Sequence, residues 1–241
     1  MKIKAISLTA NRKTNQDSLL IEKATFCGAD DLNLEINSND IHFFAIADGA
    51  GGAAMGEQCS KIAVETLSEF IGNELSIDSD PTEIESLIIK AFKKAQTCIM
   101  NKLFNADMVG GTTLSLLVIL GENRYLAFNV GDSPIYLIRN QEFTPLSKPH
   151  TLAQYKKDNG FPEEEIESKD YHCLMQSLGT FGYTQINIAE GTYLPEDKFI
   201  VMSDGLEQLG NDMEKIILSE TFDKDVLNHL NDNVSAILIK T

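Results

Sequence analysis

Apolar positions come in short blocks from the N-terminus to about residue 50. Ile3–Thr9, Ser18–Ala24 and His42–Ala47 alternate or run together at strand spacing, and the polar Asp30-Asp31 and Asn37-Ser38-Asn39-Asp40 stretches separate them; three strands are predicted. From Met55 to Asn73 the period lengthens, and Cys59, Ile62, Ala63, Leu67, Phe70 and Ile71 share one helical face. A second helix, to Asn105, starts at Asp80 as N-cap, with Pro81 in its first position and Glu83 three on from the cap. Its stripe is Ile84, Leu87, Ile88, Ala91, Phe92, Ala95 and Ile99. Thr113–Leu120, Tyr125–Val130 and Ile135–Arg139 read as strands. The short gaps Gly121-Glu122-Asn123 and Gly131-Asp132-Ser133-Pro134 predict hairpin turns and antiparallel pairing. Residues 147–182 are polar and weakly periodic. Strands Ile186–Thr192 and Phe199–Met202, a short helical tail and a last strand Val234–Lys240 follow. No linker-like run or internal repeat interrupts residues 1–241, so one α+β domain is expected.

Charge narrows the field. Lys and Arg total 20 against 36 Asp and Glu, a net charge of −16, so polyanions and anionic membranes would repel the chain; neither a nucleic-acid nor a membrane partner is expected. There is no Trp, and aromatics are 7%, which leaves few platforms for stacking bases. The start lacks a signal-like apolar core, and the longest strongly apolar run, Leu114–Leu120, is too short to span a bilayer. Cys27, Cys59, Cys98 and Cys173 form no C-x-x-C pair and read as reduced thiols. A cytoplasmic protein is expected.

The informative pattern is where carboxylates fall. Asp48 and Asp204 each end an apolar strand and precede Gly; Asp132 ends another, Asp232 precedes the last, and Asp17 opens the second. A carboxylate beside residues that want burial is costly unless it is hydrogen-bonded, paired or metal-bound, and few basic residues stand nearby. Four His without H-x-x-x-H spacing, and no Cys pair, argue against zinc; an all-oxygen cluster suits Mg²⁺ or Mn²⁺. Two such ions a few Å apart can bind phosphate and activate a water between them. Other motifs read as ordinary structure. Gly49-Ala50-Gly51-Gly52-Ala53-Ala54 fits a dinucleotide loop in spelling only, since Asp48 would face the pyrophosphate. Asp78-Ser79-Asp80-Pro81-Thr82 is a helix cap, and Glu163-Glu164-Glu165 with Glu167 is a solvated acidic face.

In their order, six motifs resemble the protein phosphatase 2C family of metal-dependent Ser/Thr protein phosphatases, in its short bacterial form, from about residue 8 to 240. Arg12-Lys13-Thr14-Asn15-Gln16-Asp17 resembles R-x-x-N-E-D, and Ala47-Asp48-Gly49-Ala50-Gly51-Gly52 resembles A-D-G-x-G-G. Gly110-Gly111-Thr112-Thr113, Asn129-Val130-Gly131-Asp132-Ser133, Ser203-Asp204-Gly205-Leu206 and Asp232-Asn233-Val234-Ser235 complete the set. The resemblance implies a four-layer αββα sandwich of two mainly antiparallel sheets flanked by helices, with two Mn²⁺ or Mg²⁺ ions at one end and a third, weaker one. It implies that Asp48 bridges the two ions, the Gly49 carbonyl binds one, and Asp204 and Asp232 hold the other. Asp17 acts through a metal water, Asp132 helps hold the third ion, and Arg12 grips the substrate phosphate. Arg12, Asp17 and Asp48 are thus the expected catalytic residues. Residues 147–182 become a flap beside the site.

The implied activity is hydrolysis of phosphoserine and phosphothreonine by a metal-bridging hydroxide, in substrates of a Ser/Thr kinase, by a monomer. The chain departs from the family pattern at four places. Gln16 stands for Glu, Ala50 for the His of eukaryotic members, Pro134 for the Arg of G-D-S-R, and Lys148-Pro149-His150 keeps only the His of a D-H pair, with His150 read as structural. Gln16 and Pro134 favour a rival reading, a non-catalytic regulator that binds phosphoproteins; a small-molecule phosphatase fits the same chemistry.

Overall fold

Strands in the middle of the protein are apolar on both faces because each face meets a different layer. In Phe43–Ala47, Phe43, Ala45 and Ala47 join one hydrophobic cluster, while Phe44 and Ile46 join another. Leu114–Leu120 divides the same way, with Leu114, Leu116, Val118 and Leu120 on one side and Leu117 and Ile119 on the other. Ile237 and Ile239 of the last strand enter the second cluster, and Val234, Ala236 and Leu238 enter a third. Three clusters separate four layers. The computed structural model describes residues 1–39, 42–51, 53–73, 80–180 and 184–241.

With elements numbered in chain order, one sheet runs β11 (Glu142–Pro145), β10 (Ile135–Arg139), β13 (Lys198–Met202), β14 (Val234–Lys240), β1 (Lys2–Leu8) and β4 (Leu32–Asn37). The other runs β12 (Asn187–Thr192), β9 (Arg124–Val130), β8 (Leu114–Leu120), β5 (Phe43–Ala47), β2 (Ser18–Ile21) and β3 (Ala24–Cys27). Neighbours pair antiparallel throughout both. A small ribbon joins β6 (Gly49–Ala50) to β7 (Gly111–Thr112). Helices α1 (Ala53–Asn73) and α2 (Pro81–Ala106) cover the second sheet, α3 (Leu152–Asp158) lies in the segment after β11, and α4 (Asp212–Ser219) and α5 (Lys224–Leu227) cover the first. This is the expected αββα sandwich.

Helix α2 follows its sequence closely. Asp80 Oδ1 accepts from the Thr82 N–H at 2.8 Å, and the predicted stripe is buried except Leu87, which is half-buried, with Leu103 extending it. Each large side chain so buried contributes about 1.5–3 kcal/mol of transfer free energy, which is what holds the helix on the sheet. Four differences from expectation have local causes. Ser18–Ala24 is not one strand: the chain turns at Glu22 (φ 55°) and pairs back on itself as β3. Leu32, Leu34 and Ile36 form edge strand β4, obscured in sequence by the Asn and Glu residues of its outer face. Phe143 anchors an unforeseen edge strand, β11. Gly131–Pro134 is not a hairpin; it carries the chain from one sheet to the other, with Gly131 at φ 105° and Pro134 lacking an N–H for a ladder.

The four cysteines are free thiols, and no described helix is long and apolar enough to cross a membrane. Gly52, Asp78, Ser79, Asp40 and the last flap residues, 181 and 182, lie outside the described residues.

Candidate metal centre

The layer between the sheets is apolar along most of its length and polar at one end. Inward positions of β1 run Ile3, Ala5, Ser7, and those of β13 continue from Phe199 and Val201 to Ser203. In β14 Ser235 precedes Ile237 and Ile239, in β8 Ser115 precedes Leu117, and in β9 Asn129 follows Ala127. These buried polar groups hydrogen-bond to one another, with Asn129 Oδ1 left unpartnered. Ser7 and Ser235 hydroxyls are 2.9 Å apart, Asn15 Nδ2 donates to Ser7 Oγ at 2.8 Å, and Asn129 Nδ2 donates to Ser115 Oγ at 2.9 Å. A network of this kind fixes the loops above it, because each lost partner leaves a buried group unsatisfied.

All the expected carboxylates gather over this polar end. Asp17 is wholly buried just ahead of β2; its Oδ2 accepts from Ser203 Oγ at 2.9 Å, while its Oδ1 has no partner. Asp48 follows β5. Its N–H donates to Thr113 Oγ1 at 2.9 Å, and its carbonyl accepts from Thr112 Oγ1 and the Thr113 N–H, both at 2.8 Å. The next residue must be Gly, since a Cβ on Gly49 would collide with the Gly56 carbonyl and stand 2.8 Å from that of Gln16. Asp204 opens the 3₁₀ turn Asp204–Leu209 beyond β13, and Asp232 receives Arg12 Nη2 on Oδ2 at 2.7 Å. Asp48, Gly49, Asp132, Asp204, Asp232 and Arg12 line one cleft of about 530 Å³. Asp17 lies beneath it rather than on its wall.

Burial pushes the Asp17 carboxyl up to about 7 against the pull of its Ser235 and Ser203 hydrogen bonds, with the negative Asp204 and Asp232 adding to the rise. Burial also raises Asp48 well above the ordinary carboxylate range, and Asp17, Asp204, Asp132 and Asp232 push the same way. Asp132 rises to about 7 through burial and Asp204, and Asp204 rises through burial and Asp232. Arg12 is held in its charged form by its hydrogen bond to Asp232 and by the charges of Asp232, Asp48 and Asp204, which outweigh partial burial. Among the described residues five carboxylates stand against two cations at the cleft, Arg12 and Lys13. Hard oxygen donors, excess negative charge and the unpartnered Asp17 Oδ1 fit divalent Mg²⁺ or Mn²⁺. The side chains are not a finished coordination shell: among the described residues no three Asp, Glu, His or Cys side chains close on one ion position. Asp232 is engaged by Arg12, and Asp48 and Asp204 share a hydrogen bond.

Several positioning residues escape the sequence reading. Asn233 Nδ2 donates to the carbonyls of Thr9 (2.9 Å) and Thr14 (3.0 Å), and its Oδ1 accepts from the Gln16 N–H at 2.9 Å, so it clamps the loop that carries Arg12. Its place beside Asp232 was the available signal. His150 does act structurally, its Nδ1 accepting from the Gly131 N–H at 3.0 Å beside Asp132. Among the described flap residues only His172 and Leu174 line the cleft; Glu163, Glu164 and Glu165 are exposed in a 3₁₀ turn away from its wall.

A two-sheet sandwich with a carboxylate-lined cleft at one end defines a class of metal-dependent hydrolase folds, and comparison places the chain within it. A model of the family described as protein phosphatase 2C matches residues 21–238, and the chain belongs to that family. The segment with Arg12 and Asp17 lies ahead of the matched stretch. The serine/threonine phosphatase stp of Listeria monocytogenes is 25% identical over 189 residues, covering 76% of this chain and 75% of that one. PstP of Mycobacterium tuberculosis is 28% identical over 165 residues, 67% of this chain and 31% of PstP. Among solved structures, the S. agalactiae serine/threonine phosphatase superposes with a TM-score of 0.78 at 20% identity, covering 100% of both chains. The catalytic domain of PstP in complex with two manganese ions gives 0.68 at 21%, covering 99% of this chain and 98% of that one.

Proposed function

We propose that the chain is a metal-dependent protein phosphatase that hydrolyses phosphoserine and phosphothreonine. The observation that carries this reading is the convergence of Asp48, Asp132, Asp204 and Asp232 on one cleft, with Arg12 bonded to Asp232, in a chain of the protein phosphatase 2C family. In this reading Asp48 with the Gly49 carbonyl, Asp204 and Asp232 hold two Mn²⁺ or Mg²⁺ ions; Asp17 acts from beneath, and Asp132 serves a third, weaker ion. The bound ions supply Lewis acidity that activates water and offsets charge on phosphate. Arg12 orients the phosphate with its planar fork, exchanging its bond to Asp232 for phosphate oxygens. Asn233 and the Ser7–Ser235–Ser203 network hold these groups in place as charge moves.

The substrates are phosphoproteins made by a Ser/Thr kinase, and the enzyme works as a monomer of one domain in the cytoplasm, where its four free thiols stay reduced. Chelated protein reloaded with Mn²⁺ should release phosphate from a phosphothreonine peptide, and Asp48→Asn should lower that rate by roughly a thousandfold while the protein stays folded. Near-normal turnover by metal-free Asp48→Asn protein would rule the mechanism out.

A further inference from the structure

The ribbon that carries Gly49 connects the cleft to a second feature of the surface. Ahead of β7 lies Met108-Val109-Gly110, and with the last turn of α2 it exposes large apolar side chains: Phe104 is 83% exposed, Val109 87% and Met108 48%. They border one groove of about 830 Å³, in which, among the described residues, Asp107 is the single charged lining residue. Contiguous apolar surface of this kind marks a place where something binds.

Groove and cleft adjoin through backbone. Ala50 pairs with Gly111 across the ribbon, and a Cβ on Gly51 would stand 2.5 Å from Gly110 Cα and 3.1 Å from the Val109 carbonyl. Ala50 and Gly51 line the cleft, whereas Val109 and Gly110 line the groove. About one strand spacing, ~4.8 Å, therefore separates the rim of one from the start of the other.

We propose that the groove receives an apolar side chain of the phosphoprotein substrate, about two to four residues along the chain from the phosphorylated Ser or Thr; an extended peptide advances ~3.3 Å per residue, which spans that gap. The proposal rests on the phosphatase reading of the cleft. The near absence of charge in the groove selects an aliphatic or aromatic side chain over a basic one. A second copy of the chain is the poorer occupant, because each copy carries a net charge of −16.

The test uses phosphothreonine peptides with Leu, Phe, Ala or Ser placed in turn at each position within about four residues on either side of the phosphothreonine. The Mn²⁺-loaded protein and the double variant Phe104→Gln/Val109→Ser are assayed for kcat/KM, with fluorescence anisotropy of the same peptides and turnover of an aryl phosphate alongside. Both substituted side chains are exposed, so the core is untouched. Leu or Phe at one position should raise kcat/KM and tighten binding about tenfold over Ser, and the double variant should bring that ratio close to one with aryl phosphate turnover unchanged. Lack of an apolar preference at any position, or a preference that survives the double substitution, overturns the proposal. So does a double substitution that alters only the sedimentation of the protein, since the groove would then join copies of the chain. If wild type and variant both fail to turn over the aryl phosphate, the phosphatase reading falls, and the anisotropy ratio still decides whether the groove takes the side chain.

Discussion

Strand β13 is flanked by two aspartates in opposite circumstances. Asp197, just before it, is 4% exposed and fully partnered: Arg139 Nε donates to Oδ1 at 3.0 Å, Arg139 Nη2 to Oδ2 at 2.6 Å, and the Leu194 N–H to Oδ2 at 2.7 Å. Asp204, just after it, has other acids as neighbours, among them Asp48, Asp132 and Asp232, and the nearby guanidinium of Arg12 is spent on Asp232. Burial pushes the Asp197 carboxyl up, yet Arg139 and Leu194 override it and leave it below the usual range; at Asp204 burial and Asp232 both push up. A carboxylate that serves the fold is given its counter-charge by the chain. In the proposed mechanism one left short of it takes its counter-charge from a bound cation.

Neutralising each acid in turn should separate the two most sharply. If Asp204 holds a metal ion as proposed, Asp204→Asn should cost roughly a thousandfold in kcat with Mn²⁺, since several kcal/mol of charge stabilisation depend on that ion. It should not lower the melting temperature of metal-free protein, because it removes a repelled charge. Asp197→Asn should behave in reverse, with kcat of the folded protein unchanged and about 1–3 kcal/mol of stability lost. Denaturant unfolding and steady-state kinetics on the two variants are the measurements; an equal activity loss in both would erase the distinction.

A smaller effect is expected at Arg12, which in the proposed mechanism orients the substrate phosphate. Arg12→Ala should lower kcat/KM by about 1.5–3 kcal/mol, roughly ten- to a hundredfold, and Arg12→Lys should recover only part, because an ammonium cannot make the two-pronged contact. Identical kinetics in the three proteins would mean that Arg12 serves only as the partner of Asp232.

What could be read from the chain before its structure follows the same division. Helix α2 was legible from cap to stripe because one surface decides every position in it. The acids at strand ends were legible because a charge beside a buried apolar run needs a reason. Edge strands β4 and β11 were not, since a strand half-covered by the sandwich keeps Asn, Glu and Thr on its open face. The jump from β9 to β10 has a hairpin's length, and only long-range pairing shows that Ile135 faces Val201 rather than β9. The hydroxyl network was hidden because Ser7, Ser203 and Ser235 become informative only when three distant strands are laid side by side.

The smallest expected effect concerns acid. Asp197 carries a folded-state carboxyl below its ordinary value, so the folded protein binds fewer protons there than the unfolded chain does. Its contribution to stability is therefore present in full above the unfolded value, about pH 4, and is lost as pH falls through the lower folded value. Above about pH 5 the stability difference between wild type and Asp197→Asn should be flat, and below about pH 4 it should shrink steadily. The Arg139 guanidinium keeps its charge throughout, so the closing of the gap reports the carboxyl alone. Denaturant midpoints of the two proteins across that range, at fixed ionic strength, measure it. A gap that widened on acidification would mean that Asp197 is a strained, repelled charge like Asp204 rather than a partnered one.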